Sequence, residues 1–396
     1  MLGAPLSGAL RPGGLIIDAT RARDGDGDPA RQIVAPDANE ALALLSARRL
    51  LELQPKELLL HQKDQVATIS INRPGRYNSY TTATLVELAA AMQAASFDDT
   101  VGVVVLTGAG ERAFCTGGDV REYAATFTQQ PRHYRKYMVL FQQAVESILR
   151  CTKPVVARLN GMAMGGWNEL HLACDLSVAA AHAQLGQVGV GVGSVACGGA
   201  TQWLPITVGD RRAREMLLLN RKLSAAEAHQ WGLVTAVAPT VRHEGQAVDA
   251  PTAAQIAAAV AGTGGYRIDL APLDAAVADI AAQLLAKFPE CLRYTKVQTN
   301  FWKELAWHQT IASAGEWLTL HFATPEPYEG MRAFVDKRPA DIQGMRSQAA
   351  TGGTPEFLHG PPSLRCPNCN ASGLPGAFTY CGHCGSVLAA SKRPED

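Results

Sequence analysis

The chain has no net charge to speak of: 36 Lys and Arg balance 36 Asp and Glu, and the isoelectric point is about 7.1. A balanced chain offers no electrostatic reason to expect a nucleic-acid or membrane partner. Long apolar runs are also missing, and no stretch approaches the roughly 18 consecutive apolar residues of a membrane span. The first residues, MLGAPLSGALRPGGLIID, lack a basic start and are broken by Pro5 and Pro12. They make a poor signal peptide, so a cytoplasmic location is the default expectation. No Gly-rich loop has the spacing of a dinucleotide fingerprint or a phosphate loop, and no nicotinamide or flavin is expected. Internal repeats and long low-complexity tracts are not visible.

What is present is ordinary folding material. The 396 residues are 47% hydrophobic, 18% charged and 6% aromatic, enough to bury a large core in two or three domains. Nine cysteines, an odd number, are mostly scattered through apolar segments, which reads as reduced thiol rather than a disulfide framework. Four form a cluster of their own near the C-terminus.

The chain divides into an N-terminal extension over 1–54, with a short helical stretch over 38–53, and a core over 55–238. An Ala/Gly-rich insertion over 239–270 and a helical region over 271–348 follow. A Pro/Gly linker over 349–365 leads to a cysteine module over 366–390. In the core, residues 66–71 alternate as a strand, 81–95 have helical spacing, and 101–107 and 154–159 are short β-branched runs. A helix over 166–174 and a strand over 175–180 complete a strand, Gly-rich turn, helix, strand rhythm, which is that of an α/β fold. Ser224 and Glu227 form a capping box that opens a helix toward Trp231, with Gly232 as its stop.

Three Gly-rich junctions stand at predicted strand ends: residues 72–78, 114–119 and 160–169. Ligands of open α/β folds gather at the carboxyl ends of strands, and glycine lets backbone N–H groups come close to them. An anion or carbonyl cradle and a set of plain tight turns are both consistent with this pattern.

The motifs Asn72-Arg-Pro, Phe114-Cys-Thr-Gly-Gly-Asp119, Lys153-Pro-Val155, Asn160-Gly-Met with Gly165-Gly166 and Glu169, and Gly198-Gly-Ala-Thr201 together resemble the crotonase (enoyl-CoA hydratase/isomerase) superfamily. Ser224-Ala-Ala-Glu227 and Glu329-Gly-Met-Arg-Ala-Phe334 extend the resemblance over about residues 60–340. A narrower likeness to ring-opening 6-oxocyclohex-1-ene-1-carbonyl-CoA hydrolases rests on Tyr77-Asn-Ser-Tyr80, Glu122-Tyr123, Tyr134-Arg-Lys-Tyr-Met138 and Gly193-Ser194.

The resemblance implies a spiral of ββα turns with a C-terminal helical trimerisation region, as a homotrimer or hexamer. It also implies an acyl-CoA substrate whose thioester oxygen is held, as an enolate forms, by the N–H groups of Gly118 and Gly166. Glu169 falls where a hydratase carries one of two catalytic carboxylates. Its other reading is as a dipole-favoured residue of a first helical turn. The residue at the second carboxylate's position is Gly189, so simple two-carboxylate hydration is not expected. By the same resemblance, Arg76, Tyr77, Phe334 and Lys337 reach coenzyme A, although Lys337 alone would read as a solvated surface charge.

Other residues carry two readings each. Asp119 is an acid or a helix cap, and Cys197 a reactive thiol or a small filler. Tyr77 and Tyr80 either line the acyl pocket or pack in the core. His171 reads as a packed or interface residue.

At the C-terminus, Cys366-Pro-Asn-Cys369 and Cys381-Gly-His-Cys384 supply four thiols in two Cys-x-x-Cys pairs, the donor set of a structural zinc ribbon. So small a unit needs the metal's binding energy to fold and offers a surface for a protein partner. The expected function is an acyl-CoA hydrolase or hydratase that opens a cyclic oxo-enoyl thioester. The alternatives are an ordinary enoyl-CoA hydratase or isomerase, and a non-catalytic scaffold with a partner-binding ribbon.

Overall fold

A computed structural model describes residues 50–351 and 356–388, together with the backbone of two short paired strands, Leu15–Asp18 and Ile33–Ala35. The rest of the expected N-terminal extension, including most of its helical stretch, lies outside the described residues.

The core is built by repetition of one unit. Each turn after the first lays a strand into a six-stranded sheet, a shorter strand into a second sheet, and then a helix. The hairpin Leu58–Lys63 and Val66–Ile71 begins the first sheet and leads to helix Thr82–Phe97. Val103–Gly108, Ala113–Cys115 and helix Pro131–Leu149 make the next turn. Val155–Leu159, Met162–Met164 and helix Gly166–Ala173 make the third. Leu176–Ala180, Gln184–Gly186 and helix Ala200–Val208 make the fourth. In the first sheet Val66–Ile71, Val103–Gly108, Val155–Leu159, Leu176–Ala180 and Ala236–Ala238 run parallel in that order, and Leu58–Lys63 closes one edge antiparallel. Ala113–Cys115, Met162–Met164 and Gln184–Gly186 are parallel neighbours in the second sheet.

Parallel strands joined by helices are covered on both faces, which favours apolar runs, while Val66–Ile71 beside the antiparallel edge alternates between half-buried and buried positions. Val103–Gly108 is buried at every position, in keeping with its β-branched run. Helix Pro131–Leu149 buries Tyr134, Tyr137, Met138, Phe141, Ala144, Val145 and Ile148, an i, i+3, i+4, i+7 stripe, and packs against helices Thr82–Phe97, Gly166–Ala173 and Phe301–His321. The capping box at Ser224 forms as expected: Glu227 N–H donates to Ser224 Oγ at 3.2 Å, and Ser224 N–H to Glu227 Oε2 at 2.9 Å.

Residues 239–269 contain more order than their composition signals. Val241–His243, Gln246–Ala247 and Tyr266–Ile268 form a small antiparallel sheet, and helix Ala253–Ala261 packs on it. Beyond it stand helices Ala271–Leu285, Pro289–Thr299, Phe301–His321 and Pro325–Asp336. Among the described residues no helix is long and apolar enough to cross a membrane.

Candidate active site

The site follows from strand order. Because Ala113–Cys115 and Met162–Met164 are adjacent and parallel, the loops leaving their carboxyl ends emerge side by side. Gly117 has φ +92° and Gly165 φ +60°, turns that a side chain would strain. They abut: a Cβ on Gly117 would lie 3.3 Å from the Gly166 nitrogen and 3.1 Å from the Met164 carbonyl. The first loop joins them through an isolated bridge, with Tyr80 N–H donating to the Gly117 carbonyl at 3.0 Å and Asp119 N–H to the Tyr80 carbonyl at 2.8 Å. That pairing leaves Gly118 N–H without a hydrogen-bond partner among the described residues. Gly166 opens its helix, so its N–H is one of the unpaired donors of a helix N-terminus.

These loops surround a cavity of about 90 Å³. Glu169 stands in it, one turn into the 166–173 helix and only 4% exposed. Its Oε1 accepts from Gly198 N–H at 2.8 Å and from Ala200 N–H at 3.3 Å. Burial pushes its carboxyl up to about 7 against the pull of those two N–H groups. Glu169 is the one carboxylate among the cavity-lining residues. The segment 188–199 folds over the cavity through a 3₁₀ turn at Gly189–Gly191. A Cβ on Gly189 would stand 3.0 Å from the Ser194 carbonyl, so a second carboxylate would not fit there without moving the turn.

The remaining wall is aromatic. Tyr80, Tyr123, Tyr134, Tyr137 and Phe141 line it, with Tyr80 stacked on Phe141 at 5.9 Å and Tyr137 on Phe141 at 6.1 Å. Tyr123 enters from a single π-helical turn, Tyr123–Phe127, a device frequent at functional sites. Tyr123 and Tyr137 hydroxyls are 2.5 Å apart, and Tyr137 donates to Tyr80 at 3.4 Å. Burial raises the pKa of all four tyrosines, so the hydroxyls stay protonated.

Of the residues singled out from sequence, Gly118, Gly166, Glu169, Tyr80 and Cys197 line this cavity. Burial holds the Cys197 thiol well above its ordinary pKa, in its unreactive form. Asp119 lies outside the lining: it caps the turn Val120–Glu122 through Arg121 N–H at 3.0 Å and pairs with Arg73 at 3.1 Å. Tyr77 also lies outside, with its hydroxyl bonded to Arg112, whose guanidinium sits 4.4 Å over its ring. Arg76, Phe334 and Lys337 are exposed and apart from the cavity lining. His171 is buried, with Nδ1 unpartnered among the described residues, and burial lowers its pKa to about 4.

Sequence reasoning gave no chemical role to Tyr123, Tyr134 or Tyr137. The available signals were their place in the motifs of the narrower likeness and the i, i+3 spacing of the last two on the apolar face of a helix.

The C-terminal cysteines gather as well. Their four Sγ atoms lie within 4.8 Å of one another, with Cys366–Cys384 at 3.6 Å and Cys369–Cys381 at 3.7 Å. These separations are too long for disulfides. They match the edge of a sulfur tetrahedron, about 3.8 Å for a 2.3 Å metal–sulfur bond. Backbone N–H groups of Cys369 and His383 point at Cys366 and Cys381 sulfurs at 3.5 and 3.4 Å.

Comparison with known proteins agrees with this architecture. Residues 61–262 match the enoyl-CoA hydratase/isomerase family. A protein of Geobacter metallireducens named 6-oxocyclohex-1-ene-1-carbonyl-CoA hydrolase is 36% identical over 311 residues, covering 72% of this chain and 81% of its own. One of the same name from Thauera aromatica is 35% identical, covering 73% and 84%. Among solved structures, an enoyl-CoA hydratase from Mycobacterium avium subsp. paratuberculosis superposes with a TM-score of 0.59 at 27% identity, over 73% of this chain and 99% of that one. One from Bacillus anthracis gives 0.52 at 29% identity, over 73% and 100%. With that match and that strand–strand–helix spiral, the chain belongs to the enoyl-CoA hydratase/isomerase family, the crotonase superfamily of enzymes.

Proposed function

We propose that this enzyme hydrates and then hydrolytically opens a cyclic oxo-enoyl-CoA of the 6-oxocyclohex-1-ene-1-carbonyl-CoA type, the substrate named for its Geobacter and Thauera relatives. The observation that carries the reading is a compact aromatic cavity holding a single buried carboxylate, Glu169, beside two unpaired backbone N–H groups. Gly118 and Gly166 N–H groups hold the thioester oxygen, and the positive end of the 166–173 helix adds to the second. Each preorganised donor of this kind is worth about 3–4 kcal/mol as charge builds on the oxygen. Glu169, with a pKa near 7, takes a proton from water and returns it to carbon. A conventional hydratase would use a second carboxylate, where this chain has Gly189 in a turn tight enough that a side chain would have to displace Ser194 slightly.

Arg76, Tyr77, Phe334 and Lys337 are assigned to the nucleotide end of coenzyme A, outside the acyl cavity. The exposed aromatic and aliphatic side chains of the C-terminal helices, Phe288, Phe301, Trp302, Trp317 and Leu320, support assembly as a trimer or a pair of trimers. Cys366, Cys369, Cys381 and Cys384 are assigned a structural zinc ion. Among the described residues the buried core of their module is Cys366, Leu374, Cys381 and Leu388, too small to hold a fold without it.

The test is turnover of the ring thioester against crotonyl-CoA, for the natural protein and Glu169→Gln. Consumption of the ring substrate, abolished in the variant, supports the reading. Turnover of crotonyl-CoA alone refutes it in favour of an ordinary hydratase.

A further inference from the structure

Ring opening asks the site to stabilise two oxygens in turn, the thioester oxygen and the ring ketone, and a single pair of N–H groups serves one of them. Glu169 is the only ionised side chain among the cavity-lining residues, so the second oxygen must rely on neutral donors. The tyrosines are placed for this. Four of the nine in the chain line the cavity, and three bring their hydroxyls together in a cluster. Tyr137 donates to Tyr80 at 3.4 Å, Tyr123 and Tyr137 share a proton at 2.5 Å, and Tyr80 also interacts with Tyr123, so the three hydroxyls form one closed cluster. A ketone oxygen entering the cavity would draw the Tyr80 proton out of that cluster.

The cluster also lies against both candidate N–H donors. A Cβ on Gly166 would fall on the Tyr80 hydroxyl, and one on Gly118 would fall on the Tyr123 hydroxyl. The same Gly166 Cβ position is 3.5 Å from Glu169 Oε2. The Tyr80 hydroxyl thus lies beside Gly166 and close to the carboxylate. In a 1,3-dicarbonyl compound the second oxygen lies beside the first, so a thioester held by Gly118 and Gly166 directs its ring ketone toward that region.

We propose that the Tyr80 hydroxyl is a catalytic donor to the ring ketone oxygen, with Tyr137 and Tyr123 as positioning residues that polarise it. The proposal rests on the ring-opening reading and goes beyond it. After the first water has added across the double bond, Glu169 takes a proton from a second water. The resulting hydroxide forms a C–O bond to the ketone carbon, and the oxygen that gains charge is held by Tyr80. The bond from that carbon to the ring carbon bearing the thioester then breaks. Its electron pair enters the thioester as an enolate, held by Gly118 and Gly166. The proton on Glu169 moves to that carbon, the ketone carbon becomes a carboxyl group, and one water has been consumed. Hydrogen bonds in a cluster reinforce one another, so removal of either neighbouring hydroxyl weakens the bond from Tyr80.

The experiment measures the partition between the product with one added water and the product with two, for the natural protein and for Tyr80→Phe, Tyr137→Phe and Tyr123→Phe. Tyr80→Phe is expected to open the ring about 100-fold more slowly, the usual loss for one oxyanion donor, and to slow hydration by less. The once-hydrated thioester then accumulates. Tyr137→Phe and Tyr123→Phe move the ratio the same way by less. If the natural protein leaves the ring substrate untouched, the ring-opening reading falls and this proposal with it. If the natural protein opens the ring and Tyr80→Phe slows both steps equally, or neither, the proposal alone is overturned. Should Tyr80→Phe not fold, 3-fluorotyrosine at position 80 keeps the packing and changes hydroxyl acidity. An unchanged partition ratio would then overturn the role.

Discussion

Replacing Glu169 with glutamine should make the protein more stable, by an amount that grows from nothing near pH 4.5 to its full size above about pH 7. The carboxyl is 4% exposed, and burial raises its pKa from 4.5 to about 7. For a carboxyl raised on folding, the folded state holds its proton more tightly than the unfolded state. Below about pH 4.5 both states are protonated and the site costs nothing. As pH rises from about 4.5 to about 7 the unfolded chain ionises first, and stability is lost. Above 7 the full penalty is present. A shift of this size corresponds to about 3 kcal/mol at 1.36 kcal/mol per unit. Glutamine keeps an oxygen for the N–H groups of Gly198 and Ala200, which hold Oε1 at 2.8 and 3.3 Å, and carries no charge to desolvate.

Chemical denaturation at fixed protein concentration, from pH 4.5 to pH 8.5, would compare the two proteins. They should unfold alike at the acid end, and the variant should gain stability up to about 3 kcal/mol by pH 8. A difference that is constant with pH, or that grows toward acid, would refute the reasoning that this carboxylate is held against its desolvation cost. A gain in stability with a loss of activity is the trade-off expected of a catalytic charge in an apolar cavity.

Other outcomes follow from the same geometry. With Glu169 as the base, kcat/KM should fall tenfold per pH unit below about 7 and level off above it, as a pH–rate profile would record; a flat profile from pH 5 to 8 would remove Glu169 from proton transfer. Gly118→Ala and Gly166→Ala each push a methyl group onto a tyrosine hydroxyl, so each should lower kcat by 10²–10³-fold with little change in secondary structure by circular dichroism. Purified protein should carry one zinc per chain by elemental analysis, with Cys369→Ser or Cys384→Ser releasing it, while the core retains its unfolding transition.

Much of the core was legible because its signals are local. The β-branched run at 103–108 and the alternation at 66–71 appear as strands within two residues of their expected bounds. The capping box at Ser224 and the Gly-rich turns at 117 and 165 have local causes too. Other elements were hidden for physical reasons. The second sheet is made of three-residue strands, too short to show a period of two. The small sheet over 241–268 is equally short and only partly buried, so its composition dominates its pattern. The spiral leaves no visible sequence repeat, because its turns share hydrogen-bonding geometry rather than side chains.

The site divides in the same way. Glu169 and the two glycines sit in recognisable local motifs, and sequence placed them together. Tyr80, Tyr123 and Tyr137 come from a loop, a π-helical turn and a helix, and converge only when the first and second turns of the spiral are stacked. Asp119 shows the opposite case. Its position beside a Gly-Gly loop suggested chemistry, yet its carboxylate is used by Arg73 and the Arg121 N–H.

The ring-opening account is tested most directly by turnover of 6-oxocyclohex-1-ene-1-carbonyl-CoA in ¹⁸O-water, followed by mass spectrometry of the thioester product. The account expects two labelled oxygens, one in a new hydroxyl and one in a new carboxyl group, and no product from Glu169→Gln. A product with a single label that retains the ring, or turnover of crotonyl-CoA with the ring substrate unchanged, would contradict it.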